Sequence, residues 1–314
     1  MATMAAPAEQ QPKLLSVDFD DGYSNATRKG YACDWKRFIT WCLESGHQPY
    51  LIGPETVAAF VDAHADILRP ATVSRAIAAI GVAHRDRNMA DPTKARVVRV
   101  AMKRMWRVRG RRQRQASPIN FAMRGKMLAA ARDDLLGKRD KAMLAVAYDV
   151  GCRRSELMAL RIQDMEREDD GSATILLAKS KVDQEGRGLI RYLARDTLAV
   201  LDRWLAAAKI VDGVLFRSVN VHGQVRGPLP VDEVARIFKK MAEDAGYSAD
   251  VVKNISGHST RVGMAQDMAA AGIDIASIMN AGGWRTPNML ARYIERLSAR
   301  QSAAARLAAF QNRT

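Results

Sequence analysis

Cysteine is nearly absent: Cys33, Cys42 and Cys152 are the only three in 314 residues. An odd number, at spacings that suit neither a zinc site nor a disulfide framework, excludes a small cross-linked scaffold and points to reduced thiols in a cytoplasm. Long apolar runs are missing too. Nothing approaches the roughly eighteen uninterrupted apolar residues that span a bilayer, so no membrane contact is expected. The amino terminus has no basic stretch leading into an apolar one and does not read as a secretory signal. Internal repeats, Gly-rich phosphate loops and carboxylate clusters at metal-ligand spacing are also lacking. No metal, ATP or other cofactor is therefore expected. What is plentiful is positive charge, with 49 Lys+Arg against 34 Asp+Glu and a net +15. A charge of that size repels itself and is ordinarily kept for a polyanion. It is spread along the chain: residues 1–116 carry 19 basic and 11 acidic side chains, and the remainder 30 and 23.

Residues 1–22 lack periodicity and predict a disordered arm. From Ser24 the pattern turns helical, with Tyr31, Trp35, Phe38, Ile39 and Cys42 on one face and Gly46 at the end. Pro54, Pro70 and Pro92 each mark a new helix start. No strand pattern precedes residue 120, so a helical domain is predicted over 23–106. Between Lys94 and Arg114 stand Arg96, Arg99, Lys103, Arg104, Arg107, Arg109, Arg111 and Arg112 without one acidic residue. A solvated, salt-bridged helix interleaves acids at this spacing, so a purely basic run reads as a phosphate-contacting element. Its end, 107–117, reads as a basic linker between domains.

The second part, 118–297, is mixed. Helices are predicted at 122–131, 139–148, from 154, and at 196–208, 231–245, 259–271, 274–280 and 287–297. Thr174–Leu177 and Leu189–Leu193 read as two strands of a hairpin. The tail, 298–310, is amphipathic, with Ala304, Leu307, Ala308 and Phe310 available for burial. The fold class that follows is mainly α with a small antiparallel β-sheet in the second domain.

Chemistry concentrates between Gly257 and Tyr293. His258 and Arg261, three apart at a helix start, share a face. Trp284 and Tyr293 are nine residues apart, which on one continuous helix is about two and a half turns and would point them in opposite directions. The break from Gly283 to Pro287 removes that obstacle. Upstream, Arg153-Arg154-Ser155-Glu156-Leu157 opens another helix, and Lys179-Ser180-Lys181 lies at the hairpin tip. Alone, each of these residues is a capping histidine, a core aromatic or a solvated charge. Together they suit phosphoryl transfer. Two arginines clamp non-bridging oxygens bidentately, Glu156 orients Arg153 or His258 by a charge-assisted hydrogen bond, His258 and the Trp284 N–H donate, and Lys181 protonates a leaving oxygen. Neighbouring guanidinium charge favours the phenolate of a nucleophilic Tyr293.

On these motifs the chain resembles the tyrosine recombinase (phage integrase) family, and within it the Cre-like branch. The family's arginine box matches Arg153 through Leu157, its hairpin lysine falls on Lys181 rather than Lys179, its His-x-x-Arg box is His258 to Arg261, and its nucleophile is Tyr293. The resemblance covers about residues 24–310. It implies a two-domain DNA clamp, with an all-helical core-binding domain and an α+β catalytic domain of bacterial or phage origin. It implies a site-specific recombinase that works through a 3′-phosphotyrosine intermediate. The partners implied are double-stranded DNA with an inverted-repeat target site and further copies of the chain, as a homotetramer on two DNA sites. The 298–314 segment docks into a neighbouring protomer in that assembly. With no arm-binding domain ahead of residue 23, the pattern is that of a simple recombinase needing no directionality factor. A topoisomerase-like nicking enzyme and a catalytically silent DNA-binding regulator are the alternatives.

Candidate phosphate contacts are Arg96, Arg99, Lys103, Arg107, Arg111 and Lys179. Groove contacts are expected from Thr27, Arg28 and Lys29 at a helix start and from Arg69, Thr72, Ser74 and Arg75 at another. Asp232, Glu233 and Arg236 are the candidates in the second domain. The helix near Val231 does not carry the family relative's base-reading side chains, so no target sequence follows from the resemblance.

Overall fold

Ser24, Asp134, Asn120 and Asp274 show how this sequence starts helices: each side-chain oxygen accepts a backbone N–H from the first turn ahead of it. In the computed structural model the described residues are Val17, Phe19, 22–112, 115–178, 188–300 and 302–313. They fall into two compact units, Met1–Arg114 and Gln115–Thr314.

The described part of the first unit is helical, with α1 (Asn25–Glu44), α2 (Pro54–His64), α3 (Pro70–Arg85), a single 3-10 turn at Pro92–Lys94, and α4 (Arg96–Arg109). Proline at the first position of α2 and α3 presets φ where an N–H has no helical partner. Its core joins Phe38 and Cys42 of α1, Phe60 and Val61 of α2, Ile80 of α3 and Met105 of α4. The Phe38 and Phe60 rings meet edge to face at 5.1 Å. Two expectations need correcting here. The arm does not run unbroken to residue 22, because Phe19 is only 3% exposed and packs against Tyr31. The linker does not begin at 107, because α4 continues through Arg109 and stops at Gly110, whose φ of 71° favours glycine.

The second unit contains α5 (Phe121–Ala130), α6 (Leu135–Val150), α7 (Arg154–Leu157), β1 (Met165–Arg167), β2 (Ala173–Leu177), β3 (Leu189–Leu193) and α8 (Arg195–Ala208). It continues with β4 (Arg217–Val219), β5 (Val225–Pro228), α9 (Glu233–Asp244), α10 (Ala249–Lys253), α11 (Ser259–Ala270), α12 (Ile275–Gly282), α13 (Pro287–Arg300) and α14 (Ala303–Phe310). The first three strands form an antiparallel sheet in the order β1-β2-β3, with Ile175 opposite Arg191, and β4-β5 is a separate hairpin. The main core gathers around Trp204, which is fully buried and donates its Nε1–H to the Leu215 carbonyl at 2.8 Å. A smaller cluster of Met264, Ala265, Ile278, Trp284, Leu290 and Ile294 joins α11, α12 and α13.

Three strands (β1, β4, β5) and α10 had no counterpart among the predicted elements; each is five residues or shorter, too brief for a periodic signature. The tail also differs from expectation. α13 runs on to Arg300, and a new helix starts only at Ser302, whose hydroxyl accepts the Ala305 N–H. Among the described residues no helix is long and apolar enough to cross a membrane.

Candidate active site

Arg261 is the centre of the site. It lies in the first turn of α11, 3% exposed, and its Nη1 donates to the Gly151 carbonyl at 2.5 Å. That carbonyl is available because Gly151 ends α6 in the left-handed region, with φ 56°. The approach of α11 is set by Gly263, where a Cβ would lie 1.9 Å from the Ile119 carbonyl oxygen. The guanidinium of Arg261 stacks over the Trp284 ring at 4.3 Å from its centroid.

Arg153 precedes α7 in extended conformation, and Glu156 reaches back to it. One carboxylate oxygen accepts the Arg153 backbone N–H at 2.8 Å and the other accepts from its Nη1 at 2.8 Å. Glu156 thus orients Arg153, one of the two partners expected for it. Trp284 and Tyr293 are brought together by the break that the sequence suggested. α12 ends at Gly282, Gly283 turns with φ 63°, and α13 restarts at Pro287. The Trp284 ring folds back over Gly282, where a Cβ would sit 1.8 Å from it. The Trp284 and Tyr293 rings then lie 5.5 Å apart at 50°. Gln266 of α11 holds α13 in place by donating to the Tyr293 carbonyl at 2.9 Å.

The electrostatics are those of a site short of negative charge. Burial, and then Arg153, lower the pKa of Arg261, with Tyr293 and Glu156 opposing. Partial desolvation, followed by Arg261, Arg153 and Arg154, depresses His258, which presents a neutral imidazole near pH 7 although the residue is exposed. The Trp284 Nε1 is buried with no hydrogen-bond partner among the described residues. A buried indole N–H left without an acceptor, beside the Arg261 guanidinium, suits an anionic group arriving from outside.

Of the seven predicted catalytic residues, Arg153, Glu156, His258, Arg261, Trp284 and Tyr293 are gathered here. Lys181 and its neighbour Lys179 lie outside the described residues. Reasoning from sequence passed over Arg191 of β3, which lines the same pocket as Gly151, Arg153, Glu156, Arg261 and Gly283. The only signal was an arginine at the inward position of an alternating strand.

The predicted DNA contacts divide into available and engaged groups. Arg96, Arg99, Lys103 and Arg107 are exposed along one face of α4, and among the described residues no carboxylate pairs with them. Their intervening neighbours Arg104 and Arg109 pair instead with Asp62 and Asp66. Arg111 stacks on the Trp106 ring at 3.6 Å. Thr27 caps with Ser24, their hydroxyls 3.0 Å apart, beside a partly exposed Arg28 and an exposed Lys29. Arg69 and Thr72 begin α3 with surface exposure, while the Ser74 hydroxyl donates to the Pro70 carbonyl. Arg75 grips the fully buried Asp34 with Nε at 2.5 Å and Nη2 at 3.2 Å. In the second unit Asp232 pairs with Arg154, and Glu233 with Arg236, so these three are tied into exposed ion pairs.

The chain is similar to known proteins of one family. A model of the phage integrase family matches residues 124–300. An integrase/recombinase XerD homolog from Selenomonas ruminantium is 34% identical over 281 residues, covering 86% of this chain and 81% of that one. The Cre recombinase of Escherichia phage P1 is 26% identical over 327 residues, covering 96% and 94%. In three dimensions, the XerH site-specific recombinase bound to palindromic difH substrate superposes with a TM-score of 0.65 at 17% identity, over 89% of this chain and 80% of that one. A lambda integrase dimer bound to a COC′ core site gives 0.59 at 16% identity, over 91% and 93%. At such identities the structural likeness speaks for the fold.

Proposed function

The chain belongs to the phage integrase family and is a tyrosine site-specific recombinase, and we propose that Tyr293 is the nucleophile with which it cuts and rejoins duplex DNA. The observation that carries this reading is the stack of Arg261, Trp284 and Tyr293, with Arg153 and its fixed carboxylate beside it. Tyr293 Oη gives up its proton to solvent and attacks the scissile phosphorus, and the bond from phosphorus to the 5′ oxygen breaks. The DNA 3′ end remains attached as a phosphotyrosine diester. Arg153 and Arg261 neutralise the charge that builds on the two non-bridging oxygens, a task that falls to a metal ion in other phosphoryl-transfer enzymes. Neutral His258 and the Trp284 N–H add donors. The leaving 5′ hydroxyl takes its proton from Lys181 in this scheme. Attack by another 5′ hydroxyl on the phosphotyrosine restores a phosphodiester and frees Tyr293. One ester replaces another at each step, so the bond energy is conserved and no ATP is consumed.

The DNA partner is a duplex target built as an inverted repeat, and the structural relatives bound to a palindromic difH substrate and to a COC′ core site support that class of ligand. The basic face of α4 supplies phosphate contacts. Assembly into a homotetramer on two sites is supported by α14, an apolar helix that leaves Leu307 and Phe310 51% and 86% exposed on its own chain. Seating that helix on a neighbouring copy would cover both.

Incubating the full chain with fragmented DNA from its own replicon, quenching in detergent and sequencing the covalently held fragments tests this function. Adducts enriched at one inverted repeat, and absent from Tyr293→Phe although that variant still binds DNA, are expected. An adduct that survives in Tyr293→Phe rules the assignment out. Adducts scattered without sequence preference would identify a topoisomerase-like enzyme instead.

A further inference from the structure

Arg191 occupies the middle of β3, paired across the sheet with Ile175, on the face that buries Ile175 and Leu193. Strand positions of that kind ordinarily hold an aliphatic side chain. The arginine is only 7% exposed, and among the described residues no carboxylate pairs with it. Its Nη1 donates to the Asn280 carbonyl at 3.0 Å and reaches the Ile190 carbonyl at 3.4 Å. Its Nε is buried with no partner among the described residues. Its Nη2 lies 3.0 Å from where a Cβ on Gly283 would stand, at the turn that leads into Trp284.

Among the described residues, the pocket it lines therefore holds three guanidiniums, of Arg153, Arg191 and Arg261, against the single carboxylate of Glu156. Burying a charge without a partner works against folding, and a methionine or leucine at this strand position would fill the same space without that penalty. Burial and the neighbouring Arg261 both lower the proton affinity of Arg191, yet a guanidinium starts high enough to stay charged near neutrality. The excess charge and the unpaired Nε ask for an anion that the described residues do not supply.

We propose that Arg191 is a third guanidinium of the phosphate site, held from the strand side so that with Arg153 and Arg261 it neutralises the scissile phosphate. The ligand class is a tetrahedral oxyanion, a phosphodiester in the reaction and inorganic phosphate as its smallest stand-in. Arg191 contributes charge and hydrogen bonds and exchanges no proton. This rests on the strand-transfer reading above. A competing role is purely architectural: Arg191 caps the carboxyl end of α12 through Asn280, where helix dipole and cation attract.

The two roles separate in an experiment on the full chain with Arg191→Met and Arg191→Lys. Melting is followed in sodium chloride and in millimolar sodium phosphate at equal ionic strength. Adduct formation is followed in single turnover on the duplex recovered by covalent capture. We expect phosphate to raise the melting temperature of the wild type relative to chloride. Arg191→Met should melt no lower than wild type in chloride, lose at least half of the phosphate-dependent rise, and form adduct at least tenfold more slowly. Arg191→Lys should recover part of both losses. An Arg191→Met variant with an intact phosphate shift and a wild-type rate overturns the proposal. So does one that melts lower in chloride while keeping its phosphate shift, the signature of a helix cap alone. The phosphate melts need neither DNA nor Tyr293, so failure of the nucleophile assignment remains distinguishable from failure of this one.

Discussion

Replacing Glu156 by glutamine perturbs the site at the point where its geometry is most constrained. The carboxylate is 6% exposed and its partner Arg153 18%, so water screens the pair weakly. Both carboxylate oxygens are used, each at 2.8 Å, one by the Arg153 backbone and one by its guanidinium. An amide has one acceptor and one donor, so Glu156→Gln must lose one of these bonds and turn an N–H toward another donor. Deleting one partner of a fully buried pair costs about 3–5 kcal/mol, and the residual exposure of Arg153 brings the expected loss to about 2–3 kcal/mol. For a unit of this size that is a fall in melting temperature of about 4–12 °C. Two further arginines line the same pocket, so the newly unpaired Arg153 also repels its neighbours. A guanidinium released from its fork no longer meets the phosphate in a fixed orientation. Misplacement of that order slows a reaction by about a hundredfold. The assay pairs thermal melts with single-turnover adduct formation, and DNA affinity measured by gel shift serves as the control. Expected are a lower melting point, a rate reduced ten- to a hundredfold, roughly, and near-normal binding. A destabilised variant that forms adduct at the wild-type rate would refute the claim that Glu156 holds Arg153 for the chemistry. An unchanged melting point would refute the claim that the pair is effectively buried.

The basic face of α4 predicts a salt dependence: Arg99→Ala with Lys103→Ala should flatten the slope of log affinity against log salt by about 1–2 and leave sequence preference intact, since each phosphate contact contributes about 0.9. A change in preferred sequence with an unchanged slope, measured by binding titrations at several salt concentrations, would contradict it. Leu307→Ser with Phe310→Ser alters two exposed side chains and should leave the monomer's melting point and single-site binding unchanged while abolishing two-site complexes in gel shifts. Persistence of those complexes would remove α14 from the assembly. His84 gives a pH signature to the first unit. It is 2% exposed, its Nδ1 faces the Ile80 carbonyl at 2.8 Å, its Nε2 has no partner among the described residues, and burial lowers its pKa from the ordinary 6.5. The unfolded chain therefore takes up this proton first as pH falls. The stability His84 contributes is full above about 6.5 and is lost as pH drops from there through the lowered folded value. His84→Gln should flatten that acid side in pH-dependent melts of the full chain, and an unaltered profile would exclude His84 as its source.

Legibility in the sequence followed the range over which each feature is encoded. α1 to α4 were readable because apolar residues recur at helical spacing for three or more turns and prolines stand at the starts of α2 and α3. The union of Trp284 with Tyr293 was readable because the break between them, glycine then proline, is written in consecutive residues. Features set by partners far along the chain were not readable. Asp34 lies on the buried face of α1, where a carboxylate looks like an error of pattern until Arg75, 41 residues on, closes a bidentate pair with it. The same pair changes the meaning of Arg75, which as a lone basic residue at the start of a helix reads as a free groove contact. In the folded chain its guanidinium is already committed on two nitrogens, so any base it meets is met by a group whose orientation Asp34 has chosen. Arg191 is the converse case. A strand arginine reads as solvated, and only the turn at Gly283 and the approach of Arg261 enclose it. Asp34 turns an exposed arginine into a fixed one, and the missing counter-charge beside Arg191 turns a buried one into a demand for a ligand. Arg153 combines the two cases: Glu156 fixes its guanidinium, which still lines the pocket beside Arg191 and Arg261.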